Sequence, residues 1–164
     1  MIRINWVITD VMNGVSLEEF NSEWGGIYGF FEIRINSRII GFCPNRKILL
    51  GEEGNEDILY WLLKLSDGIV QLNDGKEYEI QLLSMNKAKL VIKNEDKLMV
   101  NFVNVDTEEI IWLEKITYHE WFDEVMLNIE KFIEEIKNNN IVITHANNIQ
   151  KLVKIKETAV FIDL

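Results

Sequence analysis

Between Gly26 and Asn36 the chain comes to alternate: Phe31, Ile33 and Ile35 fall on one face of an extended segment, Glu32 and Arg34 on the other. That period of two marks a strand. The pair Asn36-Ser37 then turns the chain into a second strand over 38–42, predicting a hairpin. Met1 to Asp10 reads as one more strand, interrupted by polar residues. Further strands are predicted over 77–83, 88–93, 97–104 and 108–115. Between the middle ones stand Asn86-Lys87 and Asn94-Glu95-Asp96, residues that tolerate turn geometry. Consecutive strands joined by tight turns imply an antiparallel meander.

The pattern switches to a helical period twice. Asn55 is placed to cap a first helix, with Glu56 and Asp57 in its first turn, where acids suit the helix dipole. Ile58, Leu59, Trp61, Leu62, Leu63 and Leu65 follow and cover most of the circumference, so this helix should be buried. Asp67-Gly68 supplies a left-handed stop. The second helix starts at a T-x-x-E capping box, Thr117 and Glu120, with Ile116 and Trp121 placed as a hydrophobic staple. Trp121, Phe122, Val125, Met126, Ile129, Phe132, Ile133 and Ile136 then share an arc of roughly 140°. Asp123, Glu124, Glu130, Glu134, Glu135 and Lys131 lie opposite, and Asn138-Asn139-Asn140 stops the helix. Beyond it, Ile141 to Ile143 suggests a short strand, 146–156 fits either a basic helix or a strand, and Val160, Ile162 and Leu164 alternate as at a sheet edge. The expected fold is α+β: an antiparallel β-meander sheet packed against two main helices, about 55–67 and 117–137, in a single domain spanning 1–164.

Composition supports a folded chain. Its 164 residues are 48% hydrophobic and 27% charged, with one proline and nine glycines, which leaves no linker or low-complexity tail. The start lacks the basic and apolar regions of a signal peptide, no apolar run nears the length of a membrane span, and the lone Cys43 has no partner for a disulfide. A cytoplasmic protein with no membrane contact is the expectation.

Charge adds a location. The net charge is −10, which disfavours direct nucleic-acid binding and suits a basic protein partner as well as plain solubility. Residues 1–50 balance five bases against five acids, whereas 106–135 hold ten acids and only Lys115 and Lys131. Within that acidic helix face stands Leu127. A single exposed leucine is common, but a leucine ringed by carboxylates is also how a protein-binding surface presents an apolar anchor.

Candidate chemistry is sparse. His119 and Asp123 share a helix side without the further ligands a metal site needs, and Glu120 is already engaged in the capping box. His145 sits in a polar turn, and Cys43 before Pro44 suits a buried, inert thiol. Gly25, Gly26 and Gly29 lead into a strand, so they mark a turn or bulge and not a phosphate cradle. No catalytic residue, metal or cofactor is expected. Trp61, Trp112 and Trp121 fall on apolar faces as core residues, while Trp6 and Trp24 are less determined and Trp24 is a candidate for a loop.

The order of elements carries a resemblance. A helix with Leu59, Trp61, Leu62 and Leu65 leads through Asp67-Gly68 and Gly75-x-x-Tyr78 into strands, then to Trp112 and the Tyr118-x-x-x-Phe122 helix start. Over roughly residues 25–137 this layout resembles the immunity proteins of bacterial polymorphic toxin systems, most closely immunity protein family 42. The resemblance implies neutralisation of a co-encoded toxin by direct binding, with no catalytic motif. Many such toxins are nucleases with basic surfaces, which an acidic inhibitor complements. The partner-binding residues expected on that reading are Asp123, Glu124, Leu127, Glu130, Glu134 and Glu135. The alternative is a small-molecule-binding or enzymatic α+β domain with a pocket between sheet and helix, lined by Trp24, Tyr28 or Trp112.

Overall fold

The computed structural model describes residues 1–82, 85 and 87–159. The turn residue Asn86 and the alternating positions Val160, Ile162 and Leu164 lie outside the described residues. The fold is α+β, but its strands divide into two antiparallel sheets where one meander was expected. In the first, β1 (Ile2–Ile8), β2 (Tyr28–Ile35) and β3 (Arg38–Phe42) lie side by side, and the two-residue β4 (Glu56–Asp57) pairs with the start of β2. The second is a meander of β5 (Tyr78–Gln81), β6 (Ala88–Asn94), β7 (Leu98–Asn104) and β8 (Ile110–Ile116). Strand positions follow from local alternation; the split does not, because it is decided by which strand β1 finds.

In the first sheet Ile2 pairs with Ile35 and Ile4 with Ile33 on the buried face, while Arg3 stands opposite Arg34 and Asn5 opposite Glu32 on the other. Asn36 makes the β2–β3 turn at φ 52°, a left-handed conformation that asparagine tolerates. Its side-chain amide donates to Glu114 Oε2 (2.8 Å) and to the Lys115 carbonyl (3.3 Å) of β8, tying the hairpin tip to the second sheet. Gly29 and Gly54 have a steric reason to be glycine. A Cβ on Gly29 would sit on the Val7 carbonyl, and one on Gly54 would sit on the backbone of Gly29.

Between the sheets and the helices lies one buried cluster containing Phe31, Ile33, Leu62, Leu65, Ile92, Val100, Trp121, Ile129 and Phe132. The α2 helix (Ile58–Asn73) runs six residues past the predicted end. Its cap is Asp57, not Asn55: the carboxylate accepts from the Tyr60 N–H (3.1 Å) and the Ile27 N–H (3.3 Å). Glu56 belongs to β4 and its Oε2 accepts from the Trp61 indole (2.9 Å). Gly68 does not stop the helix; it makes room in the helix wall for the Tyr78 ring, which a Cβ would meet at 3.0 Å. The stop is Gly75 at φ 71°. Its N–H reaches the Leu72 carbonyl and that of Lys76 the Gln71 carbonyl, both at 3.1 Å, the two bonds of a Schellman end.

The α3 helix (Tyr118–Asn140) begins as predicted. The Thr117 hydroxyl accepts from the Glu120 N–H (3.1 Å) and the Glu120 carboxylate accepts from the Thr117 N–H (2.8 Å), closing the capping box. The staple residues Ile116 and Trp121 are both buried. The helix runs to Asn140, whose side-chain oxygen then accepts from the Val142 N–H (3.1 Å) to open a 3-10 turn over Ile141–His145, where a strand was suggested. The 147–159 segment is helical, as α4 (Asn147–Ala159). A short α1 (Leu17–Glu19) runs into a π turn, Phe20–Trp24, which Gly25 ends at φ 66°. Among the described residues no helix is long and apolar enough to cross a membrane.

Candidate interface on the long helix

One turn of α3 advances about 6 Å in four residues, and two residues of a strand advance about 6.6 Å, so a helix laid along a strand keeps step with it. From Ile4 to Trp6 this happens, and one turn further back the helix reaches the Met1 ammonium, three residues before Ile4. Glu120 Oε1 pairs with the Met1 ammonium (3.0 Å), Glu124 Oε1 accepts from the Ile4 N–H (2.7 Å), and Asn128 Oδ1 accepts from the Trp6 indole N–H (3.0 Å). Asn128 also donates to Glu124 Oε1 (3.0 Å), and Trp6 packs edge-on against Phe132, ring centres 5.7 Å apart. β1 is an edge strand whose unpaired N–H groups would otherwise need water or a foreign strand. Glu124 is therefore a brace for β1, half-buried, and not part of the outward acidic face to which the sequence assigned it.

The outward stripe of α3 holds the other predicted residues, apart from Glu135. Leu127 is 45% exposed, with Asp123 one turn before it and Glu130 and Glu134 within two turns after, all exposed. Asp123 meets His119 Nε2 at 3.2 Å, confirming the shared helix side. Glu130 pairs with Lys156 of α4 (2.6 Å) and Glu134 with Lys137 (2.9 Å). The Lys137 ammonium holds the Glu134 carboxyl below its usual range. Glu135 turns towards the first sheet, and burial pushes its carboxyl up.

Part of the acid in this segment is thus already neutralised within the chain. A second acidic region is not. Asp10, Glu23, Trp24, Gly26 and Tyr28 line a surface hollow of about 350 Å³, and Asp10 and Tyr28 also border a neighbouring one with Glu53. Among the described residues no Lys or Arg pairs with Asp10, Glu23 or Glu53. Burial, with Glu53 nearby, raises the Asp10 carboxyl even though it accepts from the Tyr28 N–H (2.6 Å).

Comparison with family models, with curated proteins and with solved structures finds no match.

The site has therefore to be read from its own chemistry. Trp24 and Tyr28 do meet at a hollow, but Trp112 is elsewhere, stacked on Phe102 at 5.2 Å. The apolar core between helices and sheets is packed, with Leu62, Leu65, Val100, Trp121, Val125 and Phe132 fully buried, which counts against a pocket within it. Among the described residues no group of three or more His, Cys, Asp or Glu is placed to hold a metal. Cys43 is half-buried, and burial, with Glu32 beside it, pushes its thiol up, which disfavours the thiolate a nucleophile needs.

Proposed function

We propose that this chain is a toxin-neutralising immunity protein that acts by binding a basic partner, with the outward stripe of α3 as the contact. The observation that carries the reading is Leu127, exposed among Asp123, Glu130 and Glu134 on a helix whose other sides are fixed by the core and by β1. An apolar anchor ringed by charge, on an element that cannot shift, is what a specific protein contact requires. The ion pairs of Glu130 and Glu134 are exposed, so each contributes little to folding and can be exchanged for a partner's Lys or Arg at small cost.

On this reading the carboxylates occupy Lys and Arg side chains that would otherwise hold phosphate on the toxin's substrate. They speed the encounter, and burial of Leu127 sets the lifetime of the complex. The test is binding between this chain and the protein encoded beside its gene, with Leu127→Ala and with Glu130→Lys plus Glu134→Lys. Reduced affinity at unchanged stability supports the surface. Tight binding that neither variant nor added salt alters would overturn it.

A further inference from the structure

A hollow of about 880 Å³ lies where α3 overhangs the outer face of the first sheet. Its floor is the polar face of β1 and β2, with Arg3, Asn5, Glu32 and Arg34; its helix wall carries Asn128, Lys131 and Glu135, with Glu130 and Glu134 at the rim. The segment after β3, with Cys43 and Asn45, borders it as well. The volume falls within the range of ligand sites.

Its charges are arranged unusually. Arg3 and Arg34 are directly opposite each other across the β1–β2 pairing, which places their Cβ atoms about 5 Å apart, and like charges so placed are destabilising. Of the four arginines, Arg34, Arg38 and Arg46 each have a carboxylate; Arg3 has none among the described residues. Glu32, only 4% exposed, holds Arg34 by its Nε (2.6 Å) and is itself steadied by the Asn5 amide (3.2 Å). That grip leaves the two terminal nitrogens of Arg34 without a carboxylate partner, on a strand position directly across from Arg3. The nearby acids are accounted for: Glu32 by Arg34, Glu130 by Lys156 and Glu134 by Lys137. Lys131 has no carboxylate partner among the described residues, which leaves Glu135 alone to offset Arg3 and Lys131.

We infer that this cleft binds an oxyanion, a carboxylate or a phosphate group, held by the paired guanidiniums of Arg3 and Arg34 with Lys131 on the opposite wall. Two planar guanidiniums side by side offer parallel N–H donors to two oxygens of one group, which lysine in either place would not. Binding would also relieve the repulsion built into the strand pairing. The role of Glu32 is positioning, since it fixes Arg34 without touching the anion. Glu130 and Glu134 of the outward stripe stand on the rim of this cleft, whereas Leu127 and Asp123 do not line it, and the anion is read at Arg3 and Arg34 without reference to the proposed toxin partner.

The experiment is a titration of the full chain with sodium phosphate and, separately, with sodium acetate, at ionic strength held constant with sodium chloride. The arginine Nε–H resonances are followed by NMR. Saturable shifts at Arg3 and Arg34 are expected with at least one anion, and the anion that saturates at lower concentration identifies the ligand as phosphoryl or carboxylate. Arg3→Gln should raise the half-saturating concentration about tenfold, as expected for losing one charged hydrogen-bonding partner. Arg34→Lys, which keeps the charge but loses the fork, should also weaken it, and Lys131→Gln should do so from the helix side if either arginine variant fails to fold. Shifts linear in concentration, or the same half-saturation in wild type and variants, would overturn the assignment.

Discussion

The two flanks of α3 carry similar residues to opposite ends. On the strand side Glu120, Glu124 and Asn128 spend their polar groups inside the chain, on the Met1 ammonium, the Ile4 N–H and the Trp6 indole. On the outward side Asp123, Glu130 and Glu134 pair only with exposed or half-exposed side chains, and Leu127 is open to solvent. Both flanks are acidic in sequence, yet one holds the fold together and the other is free to meet a partner. What separates them is about 100° of helix rotation and the presence of a strand edge beneath one of them. Net charge per segment is therefore a poor guide to where a partner binds; what matters is which carboxylates are held by buried or backbone donors and which only by exposed side chains that a partner can replace.

The sharpest way to break this contrast is Glu124→Leu. The variant leaves the Ile4 N–H without its acceptor, and a loss of about 2 kcal/mol is expected in urea unfolding. Glu124→Gln, which keeps an acceptor oxygen, should recover most of it. Next in size is the outward flank: Glu130→Lys plus Glu134→Lys should slow association with a basic partner about tenfold, while stability moves by less than about 1 kcal/mol. A stability loss as large as that of Glu124→Leu would abolish the distinction. Thr117→Ala, which removes a cap shared by both flanks, should cost about 1 kcal/mol and leave binding unchanged.

The smallest effect is one of pH, and its sign differs between Glu120 and Glu135. Glu120 is lowered, first by the hydrogen bond from the Thr117 backbone and then by the Met1 ammonium, from an ordinary value of 4.5. Its contribution is present above that value and is lost as pH falls through the folded-state value. Glu135 is raised by burial from the same ordinary value. Its contribution is present below 4.5 and is lost as pH rises through the higher folded-state value. Glu135→Gln should therefore gain stability relative to wild type as pH rises across that window, and Glu120→Gln should lose it. Unfolding midpoints taken from acid to neutral pH would show the two trends diverging.

What the sequence made legible was local. The Thr117–Glu120 box named its helix start to the residue, and alternation placed most strands within a residue or two. Burial of Trp61 and Trp121 followed from helical spacing. Apart from the 3-10 turn after α3, which the neighbouring Asn140 side chain opens, the failures share one cause, a contact outside the element itself. Gly68 looked like a stop because the Tyr78 ring that needs its bare backbone is not local. Glu124 and Glu135 sit at the margin of the helix's polar arc, and only the position of β1 decides that they turn inward. The opposition of Arg3 and Arg34 depends on a register between segments some thirty residues apart, and alternation within each strand carries no trace of it.

The seal that α3 places on β1 also has a cost in time. Ile4 and Glu124 are 120 residues apart in the chain. During synthesis β1, β2 and β3 can pair long before the acceptor for the Ile4 N–H has been made, so the first sheet must pass through a stage with a bare edge. Contacts of such long sequence separation form slowly, and an unpaired edge in a half-made chain is where association with other strands begins. The last third of the protein is thus what makes its first strand safe.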